Sequence, residues 1–460
     1  MLSTLWPHQI AASNYAVDRA ATLLHCGMGT GKTLISLDLL ERWRARRILV
    51  IAPLSVAPVW SLEVAKHGFA GKVVDISAGP MKRRVKLLSR AKATVDGPLI
   101  IVVNYDGFWR TELLHEINRQ AWDVVICDEA HRLKSPTGKA SKAARTIRAR
   151  RKLALTGTPM PHSPMDVWAL FAWLDPAVFG PSFVAFRARY AVIVKINNMP
   201  IIKGFKALDD LAQRMSTSTY HVERSVLQLP DTIDSDMPVD LDPKSRSMYS
   251  SMERHAYMEI ENGAITVTNA LVKLLRLQQL TSGFVQEGSS GESAAVQRVG
   301  AAKYDALVEL LNDLDDHEQV VVFCRFVADL EQIEQAAKKS GRRSFQQSGA
   351  HKEYRDWSNT SGAVLAAQIR SASEGIDLTS ASYVVYWSLP WSLGEYEQSL
   401  ARCHRPGQRR TVNYYYLSAR DTVDESVRKS LRSKADTIAG VISDIKRRQQ
   451  VDTHEDNWQT

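Results

Sequence analysis

The stretch TLLHCGMGTGKTLISLDLLERWR, residues 22–44, decides the fold class. Its apolar opening, TLLH, suits a short buried strand. The periodic run from Lys32 to Arg44 suits an amphipathic helix. Between them lies CGMGTGKT (26–33), a glycine turn at the strand-to-helix junction. Gly29 and Gly31 allow backbone N–H groups to close around anionic oxygens that larger side chains would obstruct. Lys32 adds a positive charge for β- and γ-phosphates, Thr30 lies inside the turn, and the Thr33 hydroxyl is placed to bind Mg²⁺. Strict G-x-x-x-x-G-K-T spacing would put glycine at 26, where Cys26 stands.

Outward from this junction the same rhythm repeats. Short apolar runs, each followed by a polar or glycine-rich turn, occur at ILVIAP (48–53), LIIVVN (99–104), DVVICD (123–128) and KLALTG (152–157). Val- and Ile-rich runs of this length suit parallel strands buried on both faces, with crossover helices such as Ser141–Arg150 between them. From about residue 160 the pattern reads as a helical insertion, with helices expected at Trp168–Leu174, Val184–Tyr190, Leu208–Met215 and Ser245–Glu261. An extended proline-punctuated segment, LPDTIDSDMPVDLDP, precedes the last of these, and QEGSSGESAAVQRVG (286–300) reads as a mobile loop. A second strand series follows at 319–324, 363–368, 383–388 and 413–417. The expectation is an α/β protein of two tandem doubly wound parallel-sheet lobes with helical insertions. Its divisions are 1–225 for the first lobe, 226–300 for an inter-lobe helical region and loop, and 301–460 for the second lobe.

Composition narrows the class. Apolar residues make up 45% and charged residues 24% of the 460, so the chain is globular rather than disordered. A net charge of +9 suits a polyanionic partner. The four cysteines, Cys26, Cys127, Cys324 and Cys403, are scattered and form no C-x-x-C pair, which argues against a disulfide framework or zinc knuckle. No signal-peptide pattern or spanning apolar run is seen, so a cytoplasmic protein is expected, with a bacterial or phage source.

The second chemical element is DEAH, Asp128–His131, at the end of DVVICD. Asp128 at a strand terminus can hold Mg²⁺ through its water shell, and Glu129 can orient and deprotonate an attacking water. With Lys32 about a hundred residues earlier, the pair completes the two-part apparatus of a P-loop NTPase.

Together these residues resemble helicase superfamily two, and within it the Swi/Snf-type ATPases, over nearly the whole chain. LWPHQ (5–9) resembles the adenine-reading segment, with Gln9 facing the base; GMGTGKT is the phosphate loop as this superfamily writes it; LTGTP (155–159) resembles the motif coupling ATP to nucleic acid. In the second half VVVFCRF (320–326), SASEGIDLTSA (371–381) and QSLARCHRPGQ (398–408) resemble the motifs of the second lobe, as LLRLQQLTSGFV (274–285) resembles the inter-lobe region. Asp377 stands where the family usually carries asparagine. The resemblance implies two RecA-like lobes with the ATP site between them. Gly375, Asp377 and Gln398 join the ATP-binding set, and Arg402 and Arg405 are the arginine fingers. Hydrolysis would then depend on lobe closure.

The resemblance also implies a DNA-stimulated ATP hydrolase that translocates on double-stranded DNA, using ATP and Mg²⁺; the chain departs from many members in leaving room only for a minimal motor without histone-reader modules, expected to be monomeric. A strand-separating helicase of repair, replication or restriction is the alternative, and a catalytically silent nucleic-acid scaffold a third. Candidate backbone-phosphate contacts are Asn104, Tyr105, Lys134, Ser135, Thr158, Arg325, Ser373 and Trp391. The runs Lys82-Arg83-Arg84 and Arg145–Lys152 are candidates for a basic track.

Overall fold

A computed structural model describes residues 3–54, 56–91, 97–196, 199–261, 267–286, 296–372 and 376–436. It divides into two compact units, Met1–Leu227 and Gln228–Lys434. Ser373 and Gly375, and residues 287–295 of the expected mobile loop, lie outside the described residues.

The strands in chain order are β1 (Ala21–Cys26), β2 (Arg47–Ala52), β3 (Lys72–Asp75), β4 (Leu99–Asn104), β5 (Trp122–Asp128), β6 (Ala149–Thr156), β7 (Ala191–Ile196), β8 (Met199–Phe205) and β9 (Thr219–Val222). Then come β10 (Thr232–Val239), β11 (Phe284–Gln286), β12 (Val296–Arg298), β13 (Val320–Cys324), β14 (Ser344–Gln347), β15 (Val364–Gln368), β16 (Tyr383–Tyr386) and β17 (Val412–Ala419).

In the first unit the sheet order is β3-β4-β2-β5-β6-β1-β9, and every pairing is parallel. Side chains alternate across a strand. Leu24, Ile48, Val50, Ile100, Val102, Val124, Ile126, Leu153 and Leu155 therefore enter one core with the helices Pro7–Val17, Lys32–Arg42 and Ala57–His67. The intervening Leu23, Leu49, Ile51, Ile101, Val125 and Cys127 are equally buried on the other face. A sheet covered on both sides is why these strands read as unbroken apolar runs.

The second unit has the order β10-β17-β16-β13-β15-β14, again all parallel. Val320, Val322, Val364, Ala366, Val385 and Leu417 form its core with the helices Ala302–Asp313 and Val327–Lys339. The segment read as inter-lobe is built into this unit. Its extended part is β10, an edge strand paired with β17 alone, where Pro238 is tolerated.

Three expectations of secondary structure change. The helix expected over Ser141–Arg150 ends at Thr146. Ile147 turns extended, and Ala149 already pairs with Trp122, so β6 starts three residues before KLALTG. The helical insertion also contains an antiparallel ribbon, β7–β8, and the strand β9 that extends the main sheet. Within the expected loop, Val296–Arg298 pairs with Phe284–Gln286. Among the described residues no helix is long and apolar enough to cross a membrane.

Candidate active site

Parallel strands expose their C-terminal ends together, and the order β5-β6-β1 puts three loops side by side. β1 runs into the phosphate loop, β5 into DEAH and β6 into LTGTP.

The phosphate loop follows Cys26, whose thiol is pushed up to about 12 by burial and so stays protonated. Gly29 and Gly31 adopt left-handed conformations, at φ 85° and 86°, and Gly31 caps the helix Lys32–Arg42. A Cβ on Gly31 would sit 2.3 Å from Gln9 Nε2. Gln9 is buried against the loop, its Nε2 donating to the Thr30 carbonyl at 3.0 Å and its Oε1 accepting from the Trp6 N–H at 2.9 Å. His8 Nε2 reaches the same carbonyl. Thr30 is fully buried and its hydroxyl closes the turn on the Gly27 carbonyl at 2.7 Å. Lys32 Nζ folds back to the Cys26 carbonyl at 3.2 Å, and Thr33 is half-buried in the first helical turn.

Asp128 is buried at the end of β5. Its Oδ2 accepts from the Trp60 indole and its Oδ1 from the Glu129 N–H, both at 3.0 Å. Burial, then the neighbouring Glu129 charge, push its carboxyl up to about 6; Lys32 and the Trp60 hydrogen bond oppose the rise. Glu129 itself holds φ 50°, a left-handed conformation that costs a side-chain-bearing residue energy and is found at functional sites. Its carboxylate lies 3.3 Å from His131 Nδ1, and that nitrogen is 3.1 Å from Thr156 Oγ1. Thr156 Oγ1 also accepts from the Thr158 N–H at 3.0 Å, so the acidic motif is tied to LTGTP. The same loop meets the phosphate loop from the other side. His25 Nε2 lies 3.1 Å from the Gly157 carbonyl, and a Cβ on Gly157 would touch the Cys26 carbonyl and Met28.

Among the described residues no cluster of three His, Cys, Asp or Glu side chains could hold a metal alone. A cation here would draw on Thr33, Asp128, water and phosphate oxygens, the hard-oxygen set that suits Mg²⁺. A buried carboxylate disfavoured in its ionised form fits such a cation.

The sequence reading of nucleic-acid contacts needs correction in this unit. Asn104 and Tyr105 are buried and committed inward. Asn104 Oδ1 accepts from Arg84 at 2.8 Å, and the Tyr105 hydroxyl donates to the Asp128 carbonyl at 2.9 Å. Both side chains brace the strand ends rather than face a ligand. Arg84 is buried as well, which breaks up the run with Lys82 and Arg83. Arg145 and Lys152 bond backbone carbonyls, and Arg151 stacks over Trp43. Thr158 is 6% exposed, Lys134 is half-buried with its Nζ 2.6 Å from His162 Nε2, and Ser135 is exposed.

In the second unit Arg325 and Trp391 come together on one acceptor. Gln278 Oε1 receives Arg325 at 3.0 Å and the Trp391 indole at 3.1 Å, while its Nε2 donates to the Leu389 carbonyl. Gln278 is fully buried. Arg402 occupies the last turn of the helix Leu393–Cys403, one turn after Gln398 on the same face, and Arg405 follows the helix end. The Arg402 carbonyl accepts from the Leu378 N–H, which joins this motif to the loop of Asp377. Asp377 is exposed and Oδ1 accepts from the N–H and hydroxyl of Thr379. Gln408 clasps both segments, donating to the carbonyls of Thr379 and Ala381 and accepting from the N–H groups of Arg409 and Arg410. Sequence reading missed Trp60, Gln278 and Gln408 as positioning groups. The available signals were the glutamine pair in LLRLQQLTSGF and the closing glutamine of QSLARCHRPGQ.

A family model described as SNF2-related domain matches residues 8–282, and one described as helicase conserved C-terminal domain matches residues 302–407. The chain is 28% identical over 456 residues to putative protein p41 of Acyrthosiphon pisum secondary endosymbiont phage 1, covering 93% of this chain and 95% of that protein. It is 25% identical over 429 residues to an uncharacterized ATP-dependent helicase of Mycoplasma pneumoniae, covering 90% of this chain and 39% of the relative. It is 27% identical over 449 residues to the human DNA annealing helicase and endonuclease ZRANB3, covering 92% of this chain and 39% of the relative. It thus spans about two fifths of the mycoplasma and human proteins and nearly all of the phage protein. Among solved structures, the Sulfolobus solfataricus SWI2/SNF2 ATPase core in complex with dsDNA matches with 23% identity and a TM-score of 0.45, covering 96% of this chain and 94% of that one.

Proposed function

This chain belongs to the SNF2-related family of ATP-dependent helicase-type cores and is an ATP hydrolase; we propose that it is a DNA-stimulated ATPase that moves along double-stranded DNA and remodels DNA or DNA–protein complexes. The observation that carries this reading is the contact of LTGTP with both halves of the hydrolytic apparatus, through His131–Thr156 on one side and His25–Gly157 on the other. A disturbance of LTGTP reaches the phosphate loop and the acidic motif in one step.

In this reading the N–H groups of Gly29–Gly31 and the Lys32 ammonium bind the β- and γ-phosphates. Thr33 and Asp128 would hold Mg²⁺, which when bound would neutralise charge on the phosphate oxygens. Glu129 orients a water and accepts its proton as the oxygen bonds to the γ-phosphorus and ADP leaves. The fixed left-handed backbone and His131 keep its carboxylate in one place. Gln9 fixes the loop from behind and carries the adenine contact, while Arg402 and Arg405 neutralise the transferring phosphoryl when ATP is turned over. DNA is the partner by analogy with the relative named a DNA annealing helicase, and the basic charge suits it. Lys134, Ser135, Arg325 and Trp391 are the phosphate contacts that retain accessible or half-buried side chains.

Glu129→Gln tests the base. The variant binds ATP with wild-type affinity and turns over at least about a hundredfold more slowly, within the range for loss of a general base. Multiple turnovers at a near-wild-type rate would remove Glu129 from that role.

A further inference from the structure

The antiparallel ribbon β7–β8 is anchored firmly at its base, and several of its described apolar side chains are exposed. At the base the Lys206 N–H donates to the Tyr190 carbonyl at 2.9 Å, Tyr190 is buried, and Arg189 grips Asp210 through two hydrogen bonds of 2.8 and 2.7 Å. Arg214 holds the same carboxylate. Beyond the base, Val192, Ile193, Ile201 and Ile202 are each 38–40% exposed, with Ile193 opposite Ile202 and Val194 opposite Ile201. A two-stranded ribbon with its apolar side chains in water is marginal by itself, so this one is built to meet something.

Charge selects the occupant. Besides Arg189, which Asp210 neutralises, residues 176–208 contain Arg187, Lys195, Lys203 and Lys206 and no aspartate or glutamate, in a chain whose whole net charge is +9. Lysines and Pro200 along both strands discourage addition of a further protein strand. They favour a polyanion. Intact duplex offers phosphates and grooves, against which isoleucine gains little; unpaired or kinked DNA offers base faces, on which apolar side chains pack.

We propose that the β7–β8 ribbon is an auxiliary nucleic-acid element that reads junctions, its lysines on phosphates and the cross-strand pair Ile193 and Ile202, which share one face, against bases exposed where a duplex opens. The proposal rests on the reading of the chain as a DNA-stimulated ATPase and adds a preferred DNA structure to it.

The test compares ATPase stimulation by a blunt duplex and by a fork carrying the same duplex. Three proteins are used: wild type, Ile193→Ser with Ile202→Ser, and Lys195→Gln with Lys203→Gln. Wild type half-saturates on the fork at a concentration about tenfold below the blunt duplex, a gain of the size expected for removing part of two isoleucine side chains from water. The isoleucine variant loses that preference while its blunt-duplex stimulation stays within about twofold. The lysine variant weakens on both, and its logarithmic salt slope falls by roughly 0.9 for each phosphate that a replaced lysine had neutralised. The lysine side chains are at the surface, so that variant keeps the test decisive should the isoleucine variant melt early. Wild-type fork preference and salt slope in both variants overturn the proposal, as does a wild type stimulated equally by fork and blunt duplex. Loss of a dimer in the isoleucine variant by light scattering assigns the face to a second copy and also overturns it. Absence of stimulation by any DNA is a different failure, because it removes the underlying reading first.

Discussion

Trp60→Phe removes one hydrogen bond and nothing charged, yet it should move the pH dependence of catalysis. The indole nitrogen can only donate, so its 3.0 Å contact with Asp128 Oδ2 favours the ionised carboxylate. A buried hydrogen bond to a charged group contributes about 1.5–3 kcal/mol, and one pKa unit corresponds to about 1.36 kcal/mol. Asp128 begins at about 6 in the free protein. Losing Trp60 raises it by roughly one to two units. The sign follows from the proposed role: a carboxylate that holds a cation works ionised, so activity is lost as pH falls through the pKa of Asp128. The acid limb of kcat/KM for ATP, which reports the free enzyme, then shifts upward by that amount. At pH 7 the variant is about two- to tenfold slower, and it recovers toward wild type by about pH 9. Merely structural damage from the smaller ring lowers activity at every pH without moving the limb. A variant profile parallel to wild type from pH 5 to 9 refutes the assignment of Trp60 to the charge state of Asp128.

Gly31→Ala and Gly79→Ala separate two effects at the same backbone region of φ, since both glycines are left-handed but only Gly31 has an atom, Gln9 Nε2, where the Cβ must go. Backbone strain costs each about 1–2 kcal/mol; Gly31→Ala additionally displaces Gln9 and weakens binding of a fluorescent ATP analogue at least about tenfold, which Gly79→Ala leaves unchanged. Gln278→Leu takes the shared acceptor from Arg325 and Trp391, so the DNA concentration giving half-maximal ATPase rises by about tenfold while basal hydrolysis stays within about twofold. An unchanged DNA response with lowered basal rate would make Gln278 a packing residue only.

The legibility of this chain follows burial and sequence distance. Strands β1, β2, β4, β5 and β6 announce themselves because both faces are covered and every residue can be apolar. Edge or peripheral strands do not: KVVD at β3, SFQQ at β14 and the aspartate-bearing β10 are short or half-solvated, so their alternation is weak. The β7–β8 ribbon was obscured by the helices on either side of it. At the site, loop chemistry is local and readable, because the glycines, Lys32 and Thr33 must be contiguous to surround a phosphate. Its supports are not local. Trp60 meets Asp128 across 68 residues, and Gln278 meets Trp391 across 113, through single polar atoms that leave no periodicity. Asn104 and Tyr105 misled for the complementary reason. A strand's C-terminal end is where ligands gather, but it is also where the next strand's backbone needs bracing.

Whether nucleic acid drives ATP turnover is read most directly from the steady-state ATPase rate with duplex DNA, single-stranded DNA and RNA over a range of salt. A duplex-driven motor shows slow basal hydrolysis, stimulation of at least about tenfold by duplex with single strands and RNA weaker, and steep loss of that stimulation as salt rises. Hydrolysis indifferent to all three polymers, or stimulated more by RNA or single strands than by duplex, contradicts it.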